Sequence, residues 1–285
     1  MSFSETALLG ALAGSTIFLG LPVGRLRSLN ARTRVALAMF SVGVLVFLLV
    51  DVLAHGFEIA EGAVEKFKDG DAGFLHAAGL TLLLLGGFAV GSAGLGITER
   101  RLRTRNAPPI AGGATEALTV DDRQSIVDAA NTEARNQALR TGLIIAAAIG
   151  LHNFAEGLAI GVSAQSGEIG LATVLIIGFA LHNSTEGFGI VGPLGDVTPS
   201  WRWLALAGLI GGGPTFLGSM IGYSVTSEPL ELAFYALAGG AILYVIGEIW
   251  HGMRRYGHRE VGLILLACGF GAGVITDFIV VYGGG

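Results

Sequence analysis

Long, nearly continuous apolar runs broken by short polar stretches divide this chain into eight segments, at residues 7–23, 35–57, 74–97, 141–164, 170–191, 203–225, 230–250 and 261–282. Each approaches the ~20 residues that cross a bilayer core at about 1.5 Å per residue. The runs are continuous rather than alternating, which favours helices over the strands of a membrane barrel. The prediction is an all-α membrane protein of eight transmembrane helices. Residues 1–10 carry no basic stretch ahead of the first apolar run, so that run is expected to be kept as a span.

Composition agrees. The 285 residues are 52% hydrophobic and 14% charged, with a mean hydropathy of +0.67. A soluble domain carries about 25% charge. Glycine is abundant, at 46 residues, which suits close helix packing in lipid. The single cysteine, Cys268, allows neither an internal disulfide nor a thiolate cage.

Charge fixes an orientation. Fifteen of the 17 Lys and Arg residues fall on one side of an eight-span arrangement, and only Lys66 and Lys68 on the other. The basic side is expected to be cytoplasmic, which leaves both termini outside. The chain then reads as one transmembrane unit: residues 1–97 with three spans, a cytoplasmic loop at 98–140, and residues 141–285 with five.

The 98–140 loop opens with an arginine cluster and passes through Pro108-Pro109. Thr119 followed by Asp121 and Asp122 marks a helix start, so a linker carrying a short surface helix is expected. The loop has no His or Cys, which gives little basis for metal sensing. The outer stretch 58–71 sets five acids against Lys66 and Lys68. It reads equally well as a solvated loop or as an acidic funnel that concentrates cations.

The chemistry sits in a repeated motif. Leu-His-Asn-x-x-Glu-Gly occurs at Leu151, His152, Asn153, Glu156 and Gly157, and again at Leu181, His182, Asn183, Glu186 and Gly187. Both copies lie inside apolar spans, where ionisable groups are costly and mark function. Residues i and i+4 share a helix face. Each copy therefore aims an imidazole and a carboxylate at one point. The two spans are consecutive and antiparallel, so the motifs should meet near mid-depth. His152, Glu156, His182 and Glu186 then offer a nitrogen-and-oxygen site for a divalent metal. Asn153 and Asn183 would be weak carbonyl ligands or donors that orient the acids. The competing reading is a structural hydrogen-bond network between the two helices.

Other polar residues extend the pattern. Asp51 and His55, with Glu58 beyond them, would form an entrance in the outer part of span two, unless His55 is a plain interfacial residue. Glu248 and His251 at the inner end of span seven would form an exit, or an ordinary helix-end pair. Asp277 near the outer end of span eight has a weaker claim. Trp201, Trp203 and Trp250 read as interfacial anchors.

At these residues the sequence resembles the ZIP (Zrt/Irt-like) metal transporter family. The resemblance covers eight spans, outside termini, the loop between spans three and four, and His-Asn-x-x-Glu-Gly in span four. It implies a metal site between spans four and five with His152, Glu156, His182 and Glu186 as primary ligands and Asn153 and Asn183 alongside. Two positions depart from the pattern. Asn183 stands where many relatives carry an acid, and Thr215, after Pro214, where prokaryotic relatives carry a Glu. One strong site is expected, with Thr215 marking a weak second. Glu248 keeps the acid found at its position in relatives.

The expected function is transport of divalent transition metals into the cytoplasm across the cell membrane. The ion is substrate: zinc first, because two imidazoles favour it over manganese, with iron, manganese and cadmium also admitted. No organic cofactor is expected. The expected partners are the lipid bilayer and the metal, with a homodimer left open and no nucleic acid. Three rivals use the same residues: a passive metal-selective channel, an intramembrane zinc hydrolase, and a metal-stabilised structural protein. The hydrolase is weakened by the lack of a His-x-x-x-His pair with an adjacent Glu.

Overall fold

The computed structural model describes residues 1–26, 30–104, 120–165, 169–224 and 227–282; at 102–104, 120–123, 169–177, 181 and 280 it describes the backbone alone. All regular structure among these residues is helical. The chain begins with α1 (Phe3–Ser15), which Ser2 and Glu5 start with a reciprocal capping box. It continues through α2 (Ile17–Gly20) and a 3-10 turn to Arg25. Helix α3 (Ala31–Lys68) is capped by Asn30. Next come α4 (Phe74–Ala89), a π turn at Val90–Gly94 and α5 (Leu95–Thr104). The remainder is α6 (Val120–Gln165), α7 (Ile169–Val191), α8 (Trp201–Ser224), α9 (Glu228–Met253) and α10 (Arg259–Tyr282).

Seven helical stretches are long and apolar enough to cross a membrane, counted over the described residues. The other predicted span is α7, whose first residues are described by backbone alone. Its 23 residues reach about 34 Å at 1.5 Å each.

Two polar stretches expected as loops are helical. Residues 58–68 complete α3, because Ala60 and Ala63 form an apolar face buried against Ala77, Leu80, Leu232 and Ala236 of α4 and α9. Only Asp69–Gly73 turns the chain, with Gly70 at φ 85°. The second stretch lies in the 98–140 connection. There α5 runs on to Thr104, and α6 starts at Val120 and continues into the membrane span. No Gly or Pro interrupts residues 120–141, so a separate surface helix is replaced by one helix of 46 residues. Arg105, Pro108, Pro109 and Thr119 lie outside the described residues, as do Arg27 and residues 166–168.

The helices pack as two groups. One holds α1, α2, α6, α7 and α8; its largest contact is α6 on α8. The other holds α3, α4, α9 and α10, with α5 appended; its largest contact is α3 on α10. Glycines bring backbones together inside each group. A methyl added at Gly157 or Gly161 of α6 would run into the carbonyls of Thr215 or Ser219 on α8. Gly43 meets Gly269 in the same way between α3 and α10. Between the groups the contacts are made by side chains instead, as where Phe154 of α6 meets Phe234 of α9 with ring centroids 4.4 Å apart.

Met1 and the described end of α10 lie at one end of this bundle, where Ser163 of α6 and Val281 of α10 line one cavity. The Met1 ammonium donates to the Ala164 carbonyl at the end of α6, and Tyr223 at the end of α8 donates to the Met1 carbonyl. The opposite end carries the arginines.

Candidate metal centre

The two motifs meet where α6 and α7 run antiparallel through the middle of the molecule. Their spacing decides which side chain faces where. His152 and Glu156 lie one turn apart on α6, as do His182 and Glu186 on α7, and all four are buried. The glycine after each Glu sits about 100° round the helix and serves packing. Gly157 lets α8 approach, and Gly187 lies against Ile17 and Gly20 beside α2. Each motif thus carries its ligand-type groups on one face and its closest backbone contact on the next.

One oxygen is the focus. Glu156 Oε1 lies 2.8 Å from His152 Nε2 and 2.5 Å from His182 Nε2. The His152 contact is off the hydrogen-bond direction, so it is an electrostatic approach rather than an aligned bond. The imidazole centroids are 6.3 Å apart. Ligand atoms of His152, Glu156 and His182 all fall within 4.8 Å of one another. Glu186 Oε1 stands 4.0 Å from His152 Nε2. The asparagines do separate work. Asn153 donates to Glu186 Oε2 at 3.1 Å and to the Gly211 carbonyl of α8 at 3.0 Å. Asn183 donates to the Ala13 carbonyl of α1 at 3.3 Å. Pro214, inside α8, removes the amide that would serve the Ile210 carbonyl; the next carbonyl, of Gly211, is the one Asn153 reaches.

Several buried polar atoms here have no hydrogen-bond partner: His152 Nδ1, Glu156 Oε2, Glu186 Oε1, and Oδ1 of Asn153 and Asn183. Buried polar atoms are rarely left so, and each costs about 1–3 kcal/mol unpaired. The two imidazoles and the Glu156 carboxylate, gathered within 4.8 Å, with Glu186 beside them, form a donor set that suits a divalent cation.

A cavity of about 430 Å³ leads from this cluster toward the end that carries the termini. His152, Glu156 and His182 lie on its floor, and Asp51, His55 and Asp277 on its walls. The His55 ring nitrogen lies 2.9 Å from the Asp51 carbonyl, and the ring packs on Tyr235 with centroids 5.6 Å apart. Glu58, a turn further along α3, is exposed and does not line the cavity. Glu248 and His251 are also absent from its lining; Glu248 is half-buried and His251 exposed at the arginine-rich end. Thr215 is fully buried, its Oγ1 unpartnered, beside Gly14 of α1.

Three groups escape the motif reading. Ser163 lines the cavity and sits seven residues beyond Glu156, on the same helix face, so the period alone would find it. Tyr235 lines it from α9 with no local pattern to mark it. Glu99 is buried in α5, where it accepts from Tyr244 at 2.8 Å and Thr141 at 3.3 Å. The expected end of span three at residue 97 assigns it to a loop.

Comparison with known sequences follows the same lines. The profile of the family described as ZIP Zinc transporter matches residues 103–275. A zinc transporter ZupT of Corynebacterium glutamicum is 28% identical over 247 residues, which cover 83% of this chain and 86% of that protein. A zinc transporter ZupT of Clostridium perfringens is 32% identical over 136 residues, covering 46% and 47%.

Proposed function

The chain belongs to the ZIP zinc transporter family, and from that premise we propose that it carries divalent ions, zinc foremost, into the cytoplasm through the His152, Glu156, His182 and Glu186 site. It is a transporter rather than an enzyme. The observation that carries the reading is the convergence of two imidazole Nε2 atoms on one buried carboxylate oxygen, with further oxygens left unpaired around it.

The residues suggest a path. Asp51, His55 and Asp277 would draw a hydrated cation into the cavity from the side of the termini, which the arginine bias makes the outside. At its floor the imidazoles and carboxylates replace water around the ion. Asn153 holds Glu186 in place while this happens. Asn183 and Thr215 bring no charge, so we assign one strong site and a weak second. Glu248 and His251 are the matching candidates for release.

Alternating access follows from where the groups ride. All four proposed ligands sit on α6 and α7 of one helix group, and the facing walls belong to α3, α9 and α10 of the other. Glycine-mediated backbone contacts make each group rigid, whereas side-chain contacts between them can slide. In this conformation the inner end is closed. Arg34 of α3 donates to the Gly195 carbonyl and faces Asp196 at 3.6 Å, and Ser41 of α3 donates to the Thr185 carbonyl at 2.7 Å. Movement of one group against the other would break these contacts and open the site inward.

Flux of a panel of divalent ions into liposomes holding the purified protein tests the proposal. Saturable zinc uptake, lost in Glu156→Gln, is expected. No metal flux, or equal flux through the variant, would refute it.

A further inference from the structure

A second cavity, of about 390 Å³, lies at the arginine-rich end, between the start of α3, the end of α9 and the start of α10. It shares no lining residue with the cavity above the metal cluster. Its walls are apolar: Val35, Met39 and Met253 are buried at its back, and Leu263 and Trp250 stand partly exposed at its side. Arg254 and Arg259 line it as well, and no carboxylate does.

The two guanidiniums are uncommitted. Among the described residues neither the Arg254 nor the Arg259 side chain makes a hydrogen bond or ion pair. Their neighbour Arg255 behaves differently: it donates to the Pro193 carbonyl at 3.4 Å and to Tyr256 Oη at 3.1 Å. The turn between the helices reverses through Gly257 at φ 71° and His258 at φ 54°. A non-glycine residue in that region is uncommon and strained; here the reversal brings Arg259 back to the cavity that Arg254 already lines. Gly262 keeps the slot open. A Cβ there would lie 3.3 Å from Met39 Cγ and 3.5 Å from Val35 Cγ1, so a larger side chain would fill the space.

We propose that this groove binds an anionic phospholipid of the surrounding bilayer, its phosphate between Arg254 and Arg259 and an acyl chain along Met39, Leu263 and Trp250. Three features select that occupant. The groove sits at the end of membrane-length helices beside a tryptophan, at headgroup level. Its polar part is purely cationic, and basic pockets between helices on this side of a membrane suit lipid phosphates. Its remaining wall is apolar, which a free phosphate ion cannot use. The lipid would tie α3, α9 and α10 together at the membrane surface. All three belong to one helix group, which would thereby be anchored while the other moves.

Native mass spectrometry of the full chain in a neutral detergent, titrated with phosphatidylglycerol or phosphatidylcholine of matched chains, tests this. Phosphatidylglycerol should bind the tighter. Arg254→Gln with Arg259→Gln should weaken it ~30-fold, about five-fold per charge, and erase the preference. Gly262→Leu should weaken both lipids. Arg202→Gln, an exposed arginine on the same face, should change nothing. Unaltered binding in the double variant would overturn the proposal, as would an equal loss in Arg202→Gln. Displacement of the lipid by excess inorganic phosphate would assign the arginines to a free anion and overturn it too. A dimer that forms only when lipid is removed, and that excludes lipid, would give the groove to a second copy of the chain.

Discussion

Glu156 on α6 reaches across the helix boundary to His182 on α7, oxygen to nitrogen 2.5 Å. The contact couples the two copies of the motif: each copy's acid and imidazole face the other copy's. A cation placed among them would take over this attraction and satisfy oxygens that are unpaired without it.

Asn153 links this cluster to α8 through Glu186 and the Gly211 carbonyl. Asn153→Ala removes both bonds. Loss of a group that orients a ligand costs ~10–100-fold in metal affinity. Isothermal titration with zinc should show a fall in that range, with the protein still folded.

Gly157 packs against backbone, and backbone cannot move aside as a side chain can. Gly157→Ala should therefore lower stability by about 1–3 kcal/mol, the usual cost of overpacking, and part α6 from α8. Gly213→Ala, where an added Cβ meets nothing within 4 Å, should be neutral in the same thermal unfolding assay.

Metal ligands bind in their deprotonated forms, so protons compete with the ion. A proton added to either imidazole or either carboxylate lowers affinity. Zinc binding should therefore weaken as pH falls from about 8 to 5, the range in which histidine sites titrate. A flat profile in equilibrium dialysis would exclude the imidazoles as ligands.

Ser41 on α3 and Gly189 on α7 face each other across the two helix groups, with 3.8 Å between Ser41 Cβ and a Cβ built at Gly189. That separation matches the mean for a disulfide, about 3.8 Å. In a Cys268→Ser background, Ser41→Cys with Gly189→Cys should cross-link on oxidation. Transport should stop, zinc binding should persist, and reductant should restore flux. Full transport by the cross-linked protein would contradict movement between the groups.

The sequence made the membrane spans and the meeting of the two His/Glu motifs legible, because both rest on periodicity: apolar runs of bilayer length, and His and Glu one turn apart in consecutive antiparallel spans. It was less informative where polarity and helix geometry part company. The acidic end of α3 and the polar start of α6 are helical because propensity and a buried alanine face prevail over loop-like composition. Glu99 and Tyr235 carry no local signature, since their burial comes from helices distant in sequence. The division into two groups is written in the glycines, but which glycine meets which helix depends on tertiary pairing that spacing alone does not give.

X-ray absorption on the zinc-loaded protein is the most direct test of the central claim. Two imidazole nitrogens at about 2.0–2.1 Å and carboxylate oxygens at about 2.0–2.2 Å are expected. His182→Ala should remove one nitrogen from the shell, and Glu156→Gln should remove an oxygen and most of the affinity. A zinc shell unchanged in both variants would place the ion elsewhere and contradict the account.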